Sequence, residues 1–428
     1  MDVMGMEVRW DGVPRDAVWA GVDTHADTNW LSVVDRLGAE LFSGEFPTGA
    51  EGYARLIASA RALGTLVAAG VECTGTFGAG LAREMASEGV RCYEVVVPTR
   101  SRRRRSAGKD DAADALRAAR QVLSGDDLAV PKSQDGWVEE VRALYVAREG
   151  LVRSCTSLAN IALATVRKAP DDLRARLEPL GTTGIMRACA CWEDDGSAAL
   201  VERAAMVSLR ALGKAWVAQR SSARDLEGAI ADAVRKGNPA LAAMYGCGAL
   251  SAAALAMAAG DNPGRMASEA SFAALCGASP IEASSGKVRR HRLNRGGDRR
   301  ANRALHVIAM HRMRTDPRTI AYVERRRAEG LSDREIRRCL KRYIAREAYR
   351  LLTNPEDVPA EGTGPGLREA RIGAGVSQKD AAKALGVTAS TLCDLELGHH
   401  QFRDLALRYR KWVDDGFPMD AEDPADGA

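Results

Sequence analysis

The chain has 428 residues, more than one hydrophobic core usually serves, and 46% of them are apolar, enough for two or three packed domains. Its net charge is only +4 and no apolar run reaches the length of a membrane span, so neither a polycation nor a membrane-spanning protein is expected. The opening MDVMGMEVRWDG lacks the basic and apolar regions of a secretory signal, and the nine cysteines show no CxxC pairing, which points to a reduced, cytoplasmic protein.

The first 128 residues alternate two kinds of pattern. AVWAGVD, NWLSVVD and ELFSGEF are short, β-branched runs that read as strands. TGAEGYARLIASARAL reads as a helix, TLVAAGVE as a buried strand, FGAGLAREMASEG as a second helix, RCYEVVVP as a strand closed by proline, and DDAADALRAARQVL as a third helix. The order β-β-β-α-β-α-β-α predicts a mixed sheet covered by helices, an α/β domain over residues 1–128.

Residues 129–238 hold two long helical patterns with few turn signals, VEEVRALYVAREGLVRSCTSLANIALATVRKA and AAMVSLRALGKAWVAQRSSARDLEGAIADAVRK. Their length predicts an antiparallel helical hairpin or coiled coil. Residues 239–353 begin at a Gly-rich turn, YGCG, and are otherwise helical around the loop ASPIEASSGKVRRHRLNRGGDRR. A Pro/Gly-rich acidic linker is expected over 354–365, a small all-α module over 366–415 and a disordered tail over 416–428. In the module, Ser377 and Thr388 are placed to cap successive helices about a turn at Gly386, a helix–turn–helix rhythm. The second of those helices carries Asp394 and Glu396 but no Lys or Arg, which suits base readout poorly. DNA binding and support of a protein or RNA complex are both open for this module.

Charge is unevenly spread. Residues 281–350 hold 21 Lys/Arg against 8 Asp/Glu, the footprint of a polyanion partner, here nucleic acid, rather than of ordinary solvated helix faces. A second basic run, RSRRRRSAGK, places Arg102, Arg103, Arg104, Arg105 and Lys109 just ahead of an acidic helix start. It reads as a phosphate-contacting segment, with a plain basic loop as the alternative.

Four acids make the strongest chemical pattern. Asp23 ends the first strand and Glu72 ends the central one, where a sheet can present side chains to a cleft. Asp111 and Asp114 stand three apart at a helix start and so share a face, at the dipole end that favours carboxylates. Each alone could be a turn or cap residue; Asp111 in particular could be an N-cap. Together they are what divalent metal acting on a phosphodiester needs. The loop from residue 278 adds a serine before a glycine among arginines, which could be either a nucleophile or an ordinary Ser-Ser-Gly turn.

GVDTHAD, VECTGTF and KDDAADA resemble the three blocks of the RuvC-like domain (an RNase H type of mixed sheet) in the DEDD-type insertion-sequence transposases, the bridge-RNA-guided recombinases. The resemblance implies that Asp23, Glu72, Asp111 and Asp114 bind Mg2+, as a two-metal or a metal-plus-serine site. The family's third block reads Lys-x-Asp-x-x-Asp, so Lys109 selects Asp111 over Asp110; Asp27 is an outside candidate left out of the set. The serine loop is similar to the C-terminal transposase domain of the same family, which implies Ser285 as nucleophile, with Ser284 second. In that loop, Lys287, Arg289, Arg290, Arg292 and Arg295 become nucleic-acid contacts, and Gly286, Gly297 and Asp298 match the rest of the block. The resemblance covers roughly residues 17–353, with a weak helical middle, and the YGCG turn is similar to a helix-hairpin-helix-like element of the relatives. The end module resembles a lambda-repressor/Cro-type domain and is an addition to that core.

The implied protein is a transposase or recombinase in the cytoplasm, at the nucleoid. It would join donor and target DNA through a phosphoserine intermediate, directed by a structured guide RNA. As a homodimer or homotetramer it would bring the metal-bearing domain of one subunit to the serine domain of another. Two other readings remain open on the residues alone. One is a RuvC-like metal-dependent endonuclease without serine chemistry. The other is a helix–turn–helix DNA-binding regulator.

Overall fold

The computed structural model describes residues 8–95, 110–126, 128–193, 196, 199–279, 281–282, 291–292, 294, 296–354, 364–397 and 403–418. Five strands form one mixed sheet: β1 (Ala17–Thr24), β2 (Thr28–Val34), β3 (Glu40–Pro47), β4 (Thr65–Val71) and β5 (Cys92–Glu94). Their spatial order is β3-β2-β1-β4-β5. The first three form an antiparallel meander, whereas β4 lies parallel to β1 and β5 parallel to β4. Helices α1 (Ala50–Arg61), α2 (Ala79–Ser87) and α3 (Asp111–Ser124) follow β3, β4 and β5, which is the order the hydrophobic periodicity predicted.

Every residue of β1 is buried, because both faces of the sheet are covered. Val18, Ala20 and Val22 pack with Leu56, Ile57, Leu81 and Met85 of α1 and α2. Trp19 on the opposite face packs with Ala118, Ala119 and Val122 of α3. Small side chains on α3 are matched by glycines beneath it. A Cβ on Gly21 would lie 2.1 Å from the Ala119 nitrogen and 2.2 Å from the Ala115 oxygen; one on Gly70 would lie 2.5 Å from Val122 Cγ2. Glycine at both positions is what lets α3 press onto the middle of the sheet.

The chain divides into two compact units. One comprises Met1–Gly136, Ala258–Asn302 and Arg338–Thr353; the other comprises the remainder. In the first, the segment after residue 257 is tied to the chain leaving the sheet. Asn262 donates to the Pro131 carbonyl (2.9 Å) and accepts from the Ser133 amide (3.2 Å), and half-buried Arg265 donates to the Val130 carbonyl (3.3 Å). A two-residue antiparallel pairing, Ile281–Glu282 with His291–Arg292, belongs to this unit.

The second unit is helical. Helix α4 (Trp137–Lys168) runs antiparallel to the 38-residue helix Leu200–Gly237, as the paired contacts Arg148–Glu227 (2.8 Å) and Cys155 Sγ–Trp216 O (3.8 Å) require. Short helices Asp171–Leu177 and Gly181–Ala190 close one end over Leu173, Leu177, Ile185 and Met186. The C-terminal module buries Leu367, Ala381, Leu385, Leu392, Leu395 and Tyr409 among four helices. Ser377 and Thr388 cap their helices by accepting from the Asp380 and Thr391 amides, with Gly386 at φ +64° between them. Glu396 turns inward. It accepts from Arg371 through both oxygens (2.7 and 2.9 Å), from Gln378 (2.9 Å) and from Tyr409 (2.7 Å). Burial alone would raise its carboxyl, but these donors hold it below the ordinary value. One of the two acids that argued against base readout is therefore core, and the other, Asp394, is half-buried.

Among the described residues no helix is long and apolar enough to cross a membrane. All nine cysteines are free thiols.

Candidate metal centre

Strand pleating puts Asp23 two residues beyond Gly21 and Glu72 two residues beyond Gly70, so both acids face α3. The parallel ladder continues past the strand end, with the Glu72 amide donating to the Val22 carbonyl (3.1 Å). Thr24 Oγ1 donates to the Glu72 carbonyl (3.0 Å) and ties the two strand ends together. Asp23 and Glu72 are each only 5% exposed and Asp114 6%, levels that isolated carboxylates do not reach without partners.

The start of α3 supplies the other two acids. Asp110 is the N-cap, its side chain accepting from the Ala112 amide at 3.2 Å. The cap role raised for Asp111 thus falls to its neighbour, and the Asp111 carboxylate reaches His25 instead. His25 Nε2 lies 3.2 Å from Asp111 Oδ2 and 3.3 Å from Asp23 Oδ2. On the other flank, Arg117 donates to Asp114 Oδ1 at 2.8 Å and lies 3.6 Å from Glu72 Oε1. The acids are thus linked in sequence: Asp111 and Asp23 through His25, Asp23 and Asp114 through their charges on Glu72, and Asp114 and Glu72 through Arg117.

The cluster is electrostatically crowded. Burial, and then the charges of Asp23 and Asp114, push the Glu72 carboxyl up from 4.5 to about 7, against the opposing pull of Arg117. The backbone beside it is held in a rare conformation. Cys73 at φ +51° and Gln134 at φ +55° are two non-glycine residues in the left-handed region, and Gln134 Nε2 donates to the Thr74 carbonyl at 2.6 Å. Such strain persists where surrounding contacts over-determine it.

The donors suit a hard divalent cation. Carboxylate oxygens are the ligands Mg2+ takes, and a dication would relieve the crowding that lifts Glu72. Sequence reasoning missed His25 and Arg117. The signal for the first was its place two residues after Asp23, on the same side of the chain as it leaves β1. For the whole site it was the repeated Ala-Gly-Val-acid at 20–23 and 69–72. Ser284, Ser285, Gly286, Lys287, Arg289, Arg290 and Arg295 lie outside the described residues, as do Arg102, Arg103, Arg104, Arg105 and Lys109. Arg292 is described for its backbone alone, paired with Ile281.

A buried acidic cluster on a mixed sheet, in a chain whose residues 281–350 are strongly basic, fits a class of enzymes that act on nucleic acid, and the comparisons narrow that class. Residues 20–169 match a DEDD-type IS110 family profile described as Transposase, and residues 238–324 match one described as Transposase IS116/IS110/IS902 family. The chain is 25% identical over 360 residues to the insertion element IS900 uncharacterized 42 kDa protein of Mycobacterium paratuberculosis, spanning 73% of this chain and 90% of that one. The chain is an insertion-sequence transposase of the IS110 family.

Proposed function

We propose that this transposase cuts and rejoins DNA by transesterification, with Asp23, Glu72, Asp111 and Asp114 holding Mg2+ and Ser285 as the nucleophile. The observation that carries the metal part is the linked set of four acids with Glu72 lifted to about 7, an arrangement that a bound cation would relieve. The serine part is supported by the second family match, which includes residue 285. It is also supported by the membership of the pairing that brackets it, Ile281–Glu282 with His291–Arg292, in the same compact unit as the acids.

Bound Mg2+ would supply Lewis-acid stabilisation of charge on the phosphodiester. The chain's residues do the rest. Ser285 Oγ forms a bond to phosphorus as the bond from phosphorus to one DNA oxygen breaks. The proton of the serine hydroxyl leaves to solvent and the departing strand takes one up. The phosphoserine linkage conserves the ester until the hydroxyl of the new strand displaces the serine. Arg102, Arg103, Arg104, Arg105 and Lys109 with Lys287, Arg289, Arg290, Arg292 and Arg295 neutralise backbone phosphates. A structured guide RNA chooses donor and target, in a homodimer or homotetramer. The C-terminal helix–turn–helix module adds a further nucleic-acid contact, which the inward turn of Glu396 favours.

The test is strand exchange with RNA transcribed beside the gene. Ser285→Ala is expected to abolish both exchange and a trapped protein–DNA adduct. Survival of exchange in that variant refutes serine catalysis and leaves the metal-only nuclease. Asp23→Asn is expected to abolish cleavage altogether.

A further inference from the structure

We propose that His25 is a nitrogen ligand of this metal centre, and that it turns the site toward a first-row transition ion, with Mn2+ as the probe, over Mg2+. The inference rests on the metal-holding reading above. Donor atoms of Asp23, His25 and Asp111 all lie within 4.8 Å of one another. His25 Nε2 stands 3.3 Å from Asp23 Oδ2 and 3.2 Å from Asp111 Oδ2, so one ring nitrogen faces oxygens brought by two different elements. That nitrogen offers a single hydrogen or lone pair to be shared between two acids, whereas a cation engages all three donors at full strength.

The donor set also bears on which ion. Magnesium and calcium are both held through oxygen donors. Imidazole with carboxylates selects the first-row transition ions. The side chain of His25 is 31% exposed, which leaves its ring room to adjust as an ion enters.

The test uses the full chain carrying 15N-labelled histidine, loaded with Mn2+ alone. Pulsed electron paramagnetic resonance of the bound ion is expected to show coupling to a histidine nitrogen in the wild type. It is expected to be absent in His25→Gln, whose Mn2+ affinity should fall about tenfold while Mg2+ affinity changes little. Asp23→Asn should lose both ions. Binding of Mn2+ by wild type, lost in Asp23→Asn but without nitrogen coupling, overturns the role of His25 alone. No binding of either ion by wild type overturns the metal reading and this inference with it. The nitrogen signal is read on the wild type, so an effect of His25→Gln on folding leaves the test decisive.

Discussion

Glu72→Gln should stabilise the metal-free protein at neutral and alkaline pH. The Glu72 carboxyl stands at about 7 instead of 4.5, a rise of about 2.5 units, each worth about 1.36 kcal/mol. Below pH 4.5 the group is protonated in both folded and unfolded chains and contributes no difference. Between 4.5 and about 7 the unfolded chain sheds the proton while the folded chain keeps it, so folding stability declines. Above 7 the full cost, about 3 kcal/mol, remains in force. Glutamine has the same shape and no proton to lose. With about 2–4 °C per kcal/mol for a unit of this size, the variant's midpoint should exceed that of wild type by several degrees at pH 8. The gap should close near pH 4.5. The assay is thermal unfolding in chelator across that range, repeated with Mn2+ or Mg2+, which should raise wild type and leave the variant nearly unmoved. A variant no more stable than wild type at pH 8, or a gap that persists at pH 4.5, would show that the crowding of Asp23, Glu72 and Asp114 is not what the geometry says.

Gly21→Ala should cost about 3 kcal/mol or more and abolish metal binding, because a Cβ 2.1 Å from the α3 backbone has to displace the helix that carries Asp111 and Asp114; unfolding and metal titration together check this. Gly150→Ala is the counterpart. Nothing lies within 4 Å of its added Cβ in the middle of α4, so thermal unfolding should show a gain of about 0.5–1 kcal/mol. Arg371→Leu should cost the C-terminal module about 3–5 kcal/mol by stranding buried Glu396, visible as faster proteolysis or hydrogen exchange over residues 364–416 with the sheet unaffected.

The order of elements was legible in the amino-acid sequence because it rests on local periodicity. The AVWAGVD and TLVAAGVE strands, the helix after KDD and the two long helical runs need no knowledge of their neighbours to be read. The four acids were legible too, since each sits at a strand end or helix start that local pattern defines. The Ser377 and Thr388 caps belong with them, because a cap is a contact within three residues. Tertiary packing alone decided the rest. His25 faces two acids at once, and Arg117 reaches from α3 to Glu72 at the end of β4. Glu396, an acid that counted against base readout in the sequence, is a core ion-pair partner, because its helix shows that face to Arg371, Gln378 and Tyr409. Sequence spacing places an acid on an element's face. What that face meets depends on how closely distant segments approach. Here Gly21 and Gly70 allow α3 to sit on the sheet, and that approach turns four separately readable acids into one cluster with a carboxyl lifted to about 7.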